Sequence, residues 1–167
     1  MRIQLIRYIM EKNSLPEYIA GIPTQKNRSA ERIVLIKEYY TRLWKKLQRE
    51  GKVNKIFNDF LGVDIYIVEK ESDKKTINTA SKNWQSTYAA KHLYKIVRKA
   101  SCDENTTIFF KPKTGTQTKF RYKNIAVLYY DFVNPQVPYL NFKVKLTIGI
   151  KASGKHVQYC VNKIDIK

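Results

Sequence analysis

The sequence predicts an α+β fold, in which N-terminal helices precede a helix packed on a four-stranded antiparallel sheet. Three patterns support this fold class. Apolar residues recur at helical spacing between residues 29 and 51, apolar and polar residues alternate strictly from Tyr139 to Lys151, and turn-forming residues separate the C-terminal segments. We therefore expect a helical region at residues 1–62 and a basic α+β sheet domain at residues 63–167.

The N-terminal region is predicted to contain three helical segments. The first carries apolar residues at helical spacing, namely Ile3, Ile6, Ile9 and Met10. A turn-rich connection follows, marked by Pro16, Gly21 and Pro23. Ser29 is a suitable N-cap for the second helix, and Gly51 a suitable C-cap. The apolar stripe of that helix is Ile33, Ile36, Tyr40, Leu43 and Leu47. A shorter helical segment is predicted from Val53 to Leu61.

The periodicity changes at Val63, where β-branched and aromatic residues predict a strand up to Val68. A charged loop from Glu69 to Lys75 leads to Thr79, an acceptable N-cap. We expect a single helix from Ala80 to Ala100. One face of this helix is apolar and consists of Trp84, Tyr88, Ala89, Leu93, Ile96, Val97 and Ala100.

The C-terminal third is predicted to be all strand. The expected strands are Thr106–Lys111, Lys119–Phe132, Tyr139–Lys151 and Lys155–Ile166. Turns are expected at residues 113–116, 134–136 and 152–154, where Gly, Pro, Asn and Ser are concentrated. Because each connection is short, consecutive strands should pair in an antiparallel meander with the Ala80–Ala100 helix on one face.

The charge of the chain points to a polyanionic partner. The chain has 32 Lys and Arg against 14 Asp and Glu, a formal net charge of +18. Such a field attracts nucleic acid, either RNA or DNA; the alternative is a solvated lysine-rich surface without a partner. The N-terminus has no signal-peptide pattern and no segment is apolar enough to span a membrane, so we expect a cytoplasmic protein with no membrane partner.

No cofactor or metal is expected. Cys102 and Cys160 form neither a metal-ligand pattern nor a disulfide framework. The two histidines, His92 and His156, are far apart in the sequence, and no cluster of Asp and Glu accompanies them.

The last hairpin is the main candidate site. If Ser153 and Gly154 form a two-residue turn, Ile150 pairs with Val157 and Leu146 with Val161; a bulged or three-residue loop remains an alternative. Apolar residues then lie on one face of the hairpin, and alternation puts His156, Gln158, Cys160 and Asn162 together on the other. The predicted polar face carries Lys143, Lys145, Lys151, His156, Gln158 and Asn162.

This polar face has the groups that metal-independent RNA cleavage requires. That reaction needs a base near the 2′-hydroxyl, an acid near the leaving oxygen and cations around the phosphate. His156 could transfer protons and lysines such as Lys145 could bind the phosphate. The alternative is that lysines merely solvate the open side of a half-covered sheet.

Two further segments are candidate phosphate-binding sites. The loop from Lys111 to Lys119 offers cations, hydroxyls and backbone donors around Gly115, with Lys113, Thr114 and Thr116 as the candidate residues. On the Ala80–Ala100 helix, Lys91 and Lys95 share a face at i, i+4 spacing, and Arg98 follows. A plain hairpin turn and a solvated helix face are the respective alternatives.

The basic helix Ala90–Ala100 followed by a four-stranded antiparallel sheet resembles the barnase–EndoU–colicin–RelE-like nuclease superfamily, in particular its phage and mobile-element branch. The resemblance covers residues 63–167 and concerns the order of elements and the polar sheet face. It implies a metal-independent endoribonuclease, often a toxin, with an antitoxin or immunity protein as a further partner.

In this chain the resemblance implies that the site contains Lys143, Lys145, His156 and Gln158, with Lys91 and Thr116 at its rim. His156, Gln158 and Lys145 are the expected catalytic residues. A second interpretation remains open, in which the protein is a non-catalytic phage or mobile-element protein that binds nucleic acid or inhibits a nucleoprotein complex.

Overall fold

The computed structural model describes residues 15–26, 29–67, 73–102, 108–110 and 122–163. The predicted first helix at residues 3–10 and the predicted loop at residues 111–119 lie outside these ranges. The described helices are α1 (Ala30–Arg49), α2 (Asp73–Ala80), α3 (Trp84–Lys91) and α4 (Leu93–Lys99). The strands are β1 (Tyr18–Ile19), β2 (Ile22–Pro23), β3 (Lys55–Asn58), β4 (Val63–Ile67), β5 (Ile108–Phe110), β6 (Asn124–Phe132), β7 (Phe142–Ile150) and β8 (His156–Lys163).

Helix α1 confirms the prediction for residues 29–51. Its N-cap is Ser29, whose hydroxyl oxygen accepts a hydrogen bond from the backbone N–H of Arg32. Ile36, Leu43 and Leu47 lie buried along one stripe, as the spacing predicts. The helix ends just before Gly51, which has a φ of +67° that favours glycine.

A buried arginine fixes the start of α1 to the segments around it. The side chain of Arg32 has an exposed fraction of 0%, and it donates hydrogen bonds to the backbone carbonyls of Pro23, Gln25 and Ser81. Burial lowers the pKa of this guanidinium, since a low-dielectric environment disfavours the charged form. Arg32 thereby joins the β1–β2 hairpin, α1 and the turn after α2.

The α+β class is confirmed, but the sheet differs from the predicted four-stranded antiparallel meander. It has six strands in the order β3-β4-β8-β7-β6-β5. Strands β5 to β8 pair antiparallel in sequence order, as predicted. Strand β4 adds to them in parallel along β8, and β3 pairs antiparallel with β4. The meander prediction failed because a parallel pair joins distant segments, which local sequence patterns do not report.

Strand β3 corrects the helix predicted from Val53 to Leu61. Ile56 is buried while Phe57 is 52% exposed, which is the alternation of a strand rather than a helical stripe. The buried side chain of Asn58 ends the strand by donating hydrogen bonds to the carbonyls of Val97 and Ala100. The β3–β4 pair therefore crosses the predicted boundary between residues 62 and 63.

The single helix predicted from Ala80 to Ala100 is divided in the structure. Asn83, not Thr79, caps α3, and its side-chain oxygen accepts from the N–H of Ser86 at 2.8 Å. His92 then interrupts the helix between α3 and α4. The side chain of a capping residue accepts a hydrogen bond from a backbone N–H that would otherwise bond within a continuous helix. Asn83 therefore starts a new helix inside the segment for which the apolar spacing predicted a single one.

Helices α1 to α4 all contribute to one main hydrophobic cluster with one side of the sheet. The helices supply residues such as Leu43, Trp84 and Ile96, and the sheet supplies Leu146 and Ile148. We call this side of the sheet the helix face.

Candidate nucleic-acid interface

The opposite side of the sheet, which we call the outer face, carries most of the polar groups of β6, β7 and β8. Cross-strand pairing arranges its residues in rows, because directly opposed residues share a face. The rows are Asp131–Lys143, Tyr129–Lys145–Asn162, Val127–Thr147–Cys160 and Ile125–Gly149–Val157.

The Tyr129–Lys145–Asn162 row places a phenol, an ammonium and an amide on three adjacent strands. All three residues are partly exposed. Lys143, in the neighbouring row, lies with its Nζ 3.7 Å from a carboxylate oxygen of Asp131 and 5.8 Å from the centre of the Tyr129 ring. Within the described ranges no carboxylate pairs with Lys145. This end of the outer face therefore offers cations next to an aromatic ring.

The other end of the outer face is apolar. Tyr122, Val157 and Cys160 form a small buried cluster there, and Tyr66 of β4 packs against it. Tyr122 lies directly over Gly149, which has no side chain to obstruct the ring. The ammonium of Lys155 lies 4.0 Å from the centre of the Tyr66 ring, at the edge of this cluster. The outer face thus combines a buried apolar cluster at one end with lysine side chains at the other end and at the edge of the cluster.

A β-bulge overturns the prediction that His156, Gln158, Cys160 and Asn162 share one face. The pairing register shifts between Thr147 and Ile148, and Tyr159 is the extra residue on β8. Because side chains alternate with period two, one inserted residue reverses the faces of all residues on its other side. Cys160 and Asn162 consequently lie on the outer face, whereas His156 and Gln158 pair with helix-face residues.

The hairpin loop contributes to this shift. The N–H of Lys151 donates to the carbonyl of Lys155 at 3.0 Å, so three residues close the loop, and Gly154 has a φ of +88°. The predicted two-residue turn is therefore replaced by the three-residue alternative, in which a positive φ favours glycine. Ile150 pairs with His156 instead of Val157, while Leu146 pairs with Val161 as predicted.

Gln158 and His156 are therefore separated from Lys145. Gln158 is 1% exposed, and its Oε1 accepts a hydrogen bond from the hydroxyl of Tyr40 at 3.1 Å. His156 is partly exposed, with its Nδ1 2.9 Å from the carbonyl oxygen of Gly154. The expected catalytic group of His156, Gln158 and Lys145 is not assembled on one face, because the sheet lies between its members.

The remaining predicted residues lie in three places. Lys91, Lys95 and Arg98 are exposed on the helical layer, away from the outer face. Lys151 is exposed in the hairpin loop. Lys113, Thr114 and Thr116 lie outside the described residues. The i, i+4 relation between Lys91 and Lys95 is interrupted, because α3 ends at Lys91 and α4 begins at Leu93.

His92 is surrounded by aromatic side chains. Its ring lies 4.6 Å from that of Tyr88 and 5.9 Å from that of Phe132, between centres, and the residue is partly buried. Burial lowers its pKa, and the neighbouring positive charges of Lys91 and Lys95 lower it further. His92 is therefore a packing residue between the helices and the sheet.

Tyr129 is a residue of this candidate interface that the sequence patterns did not single out. It lies in a predicted strand, but its position relative to Lys145 depends on the β6–β7 register. Alternation within each strand does not fix this register, so the sequence carried no signal that would have placed Tyr129 opposite Lys145.

Comparison of the chain with protein families, with curated proteins and with solved structures finds no match. In the described residues, no group of three His, Cys, Asp or Glu side chains is arranged to hold a metal ion. None of the described helices combines the length and apolar character needed to cross a membrane.

Proposed function

We propose that this protein binds nucleic acid on the outer face of its sheet. The observation that carries the proposal is the Tyr129–Lys145–Asn162 row with Lys143 beside it. Lysines can neutralise phosphates, a tyrosine ring can stack on a base, and an amide can hydrogen-bond to a phosphate or a base edge. The net charge of +18 supplies the long-range attraction that brings a polyanion to the face.

Binding should depend steeply on salt. Lysine–phosphate contacts release counterions, so log K should fall linearly with log salt concentration, by roughly 0.7 per neutralised phosphate on single strands and 0.9 on duplexes. Fluorescence anisotropy of labelled RNA and DNA oligonucleotides over a salt series measures this slope. Affinity that does not change with salt, or no binding at low salt, would contradict the proposal.

Lys143 and Lys145 should contribute measurably to the affinity for nucleic acid. We expect Lys143→Glu/Lys145→Glu to weaken binding at least about tenfold at low salt and to reduce the salt slope by about two, one for each phosphate contact. The control is Lys26→Glu/Lys82→Glu, which changes the net charge equally at two exposed residues near Arg32. Equal losses in the two variants would mean that net charge, and not the outer face, determines binding.

Metal-independent RNA cleavage is a second candidate function for the same face. The observation that favours it is that Tyr129 and Lys145 are directly opposed, so a proton-transfer group and a cation could contact one phosphodiester. The 2′-hydroxyl would attack phosphorus, leaving a 2′,3′-cyclic phosphate and a 5′-hydroxyl. His156 has no part in this arrangement.

Cleavage is tested with labelled RNA in EDTA. We expect cyclic-phosphate products from the wild type, and Tyr129→Phe should retain binding but lose cleavage because it lacks the hydroxyl group. His156→Ala should cleave normally. Intact RNA in the wild-type reaction would leave binding as the function of this face.

A further inference from the structure

A second group of cations lies where the C-terminal half of α1 meets α4. The exposed side of α1 carries a shallow groove lined by Arg42, Lys45, Gln48 and Arg49. These positions are three and four residues apart, so their side chains project from one face of the helix. At a rise of about 1.5 Å per residue, three basic side chains spread over about 10 Å along the axis.

Two further lysines converge on one aromatic ring beside this groove. The Nζ of Lys46 lies 4.0 Å from the centre of the Tyr94 ring, and the Nζ of Lys52 lies 5.8 Å from it. Lys52 also donates a hydrogen bond to the Tyr94 hydroxyl at 3.3 Å, and this bond raises the pKa of Lys52. Two lysine side chains thus lie next to a partly exposed ring on which a base could stack.

We call this region the helix-side basic surface, and it consists of Arg42, Lys45, Lys46, Arg49, Lys52 and Tyr94. Among the described residues, two carboxylates form ion pairs with it. Glu38 pairs with Arg42 at 3.9 Å and Glu50 with Lys52 at 3.6 Å, and all four side chains are more than one-third exposed. Exposed pairs of this kind are weak, so phosphates can compete for these cations.

The helix-side basic surface and the outer face belong to opposite sides of the molecule. Helix α1 buries Ile36, Leu43 and Leu47 in the main cluster with the helix face of the sheet, so its basic side points away from the sheet. Tyr129 and Lys145 project from the other side of the same sheet. A short oligonucleotide bound to one surface would be separated from the other by the hydrophobic core.

We propose that the helix-side basic surface is a second nucleic-acid-binding site, and that one chain binds two nucleic-acid segments at once. This inference rests on the proposed function of the outer face, and it adds a stoichiometry that one binding surface would not give. The ligand is a single strand of nucleic acid, whose phosphates contact the basic side chains and one of whose bases stacks on Tyr94 beside Lys46 and Lys52.

Native mass spectrometry with a single-stranded oligouridylate of about eight nucleotides tests the inference, because it counts both protein chains and oligonucleotides in each complex. The wild-type chain should bind two oligonucleotides. Lys46→Glu/Lys52→Glu should bind one, and so should Lys45→Glu/Arg49→Glu, in which both replaced side chains are exposed. The control Lys26→Glu/Lys82→Glu should still bind two. Lys26 and Lys82 lie near Arg32, about 20 Å along α1 from Lys46. This distance exceeds the electrostatic screening length of about 8 Å at physiological ionic strength.

The outcomes separate this inference from the proposed function. Lys143→Glu/Lys145→Glu should retain the helix-side site and bind one oligonucleotide. A wild-type stoichiometry of one that depends on Lys143 and Lys145 would overturn the second site and leave the proposed function intact. Two oligonucleotides on both helix-side variants would also overturn it. A wild-type chain that binds none would contradict both proposals.

Discussion

Replacing Leu146 with Asp is expected to unfold the protein. Leu146 is 0% exposed on the helix face, where it pairs with Leu128 and Val161 on the neighbouring strands. A carboxylate there would be buried without a partner, at a cost of about 4 kcal/mol or more, against a total stability of about 5–15 kcal/mol for a domain. Urea unfolding followed by tryptophan fluorescence measures the loss.

The neighbouring substitution Lys145→Asp is the matched comparison. Its side chain is partly exposed on the outer face, so the free energy of unfolding should change by only about 0.5 kcal/mol while nucleic-acid affinity falls. Equal destabilisation by both substitutions would show that β7 does not present one buried and one open face at these positions.

Gly149→Ala is expected to destabilise the protein by about 3 kcal/mol, because a methyl group there collides with a buried ring. A Cβ at this position would lie 2.5 Å from two carbon atoms of the Tyr122 side chain. The backbone of Gly149 is not left-handed, so the cost is steric and not conformational. Because Tyr122 is itself buried, its ring has little room to move away from the added methyl group.

A double-mutant cycle isolates this contact. In a Tyr122→Ala background, Gly149→Ala should cost close to nothing, since the ring that it meets is gone. Urea unfolding of the four proteins gives the coupling free energy, which should nearly equal the cost of Gly149→Ala in the wild type. The same cost in both backgrounds would place the clash elsewhere in the sheet.

The helices and strands of the structure also show which local sequence patterns were reliable. The capping residue Ser29 and the stripe ending at Leu47 predicted α1, because helical spacing and capping act within a few residues of the chain. The alternation from Phe142 to Leu146 likewise predicted which side chains of β7 are buried. The change of period at Val63 correctly located β4.

Local patterns were ambiguous where apolar runs were short. The segment around Ile56 has apolar residues compatible with either helix or strand, and pairing with β4 makes it a strand. Similarly, the apolar pattern from Ala80 to Ala100 did not reveal that Asn83 and His92 divide the helix. Pairing with β4 decides the first case, whereas the local cap at Asn83 and the helix break at His92 decide the second.

The sequence by itself determined the α+β class, the position of α1, most of the strands and the strong positive charge, since these follow from spacing and composition. The tertiary structure alone decided which residues of neighbouring strands lie opposite one another, and therefore which face of the sheet His156 and Gln158 occupy. One extra residue, Tyr159, places His156 and Gln158 on the helix face and leaves Lys145 beside Tyr129 and Asn162 on the outer face. The physical reason is the two-residue period of a strand: register is set by packing across strands, and one inserted residue reverses the face of every residue on its other side.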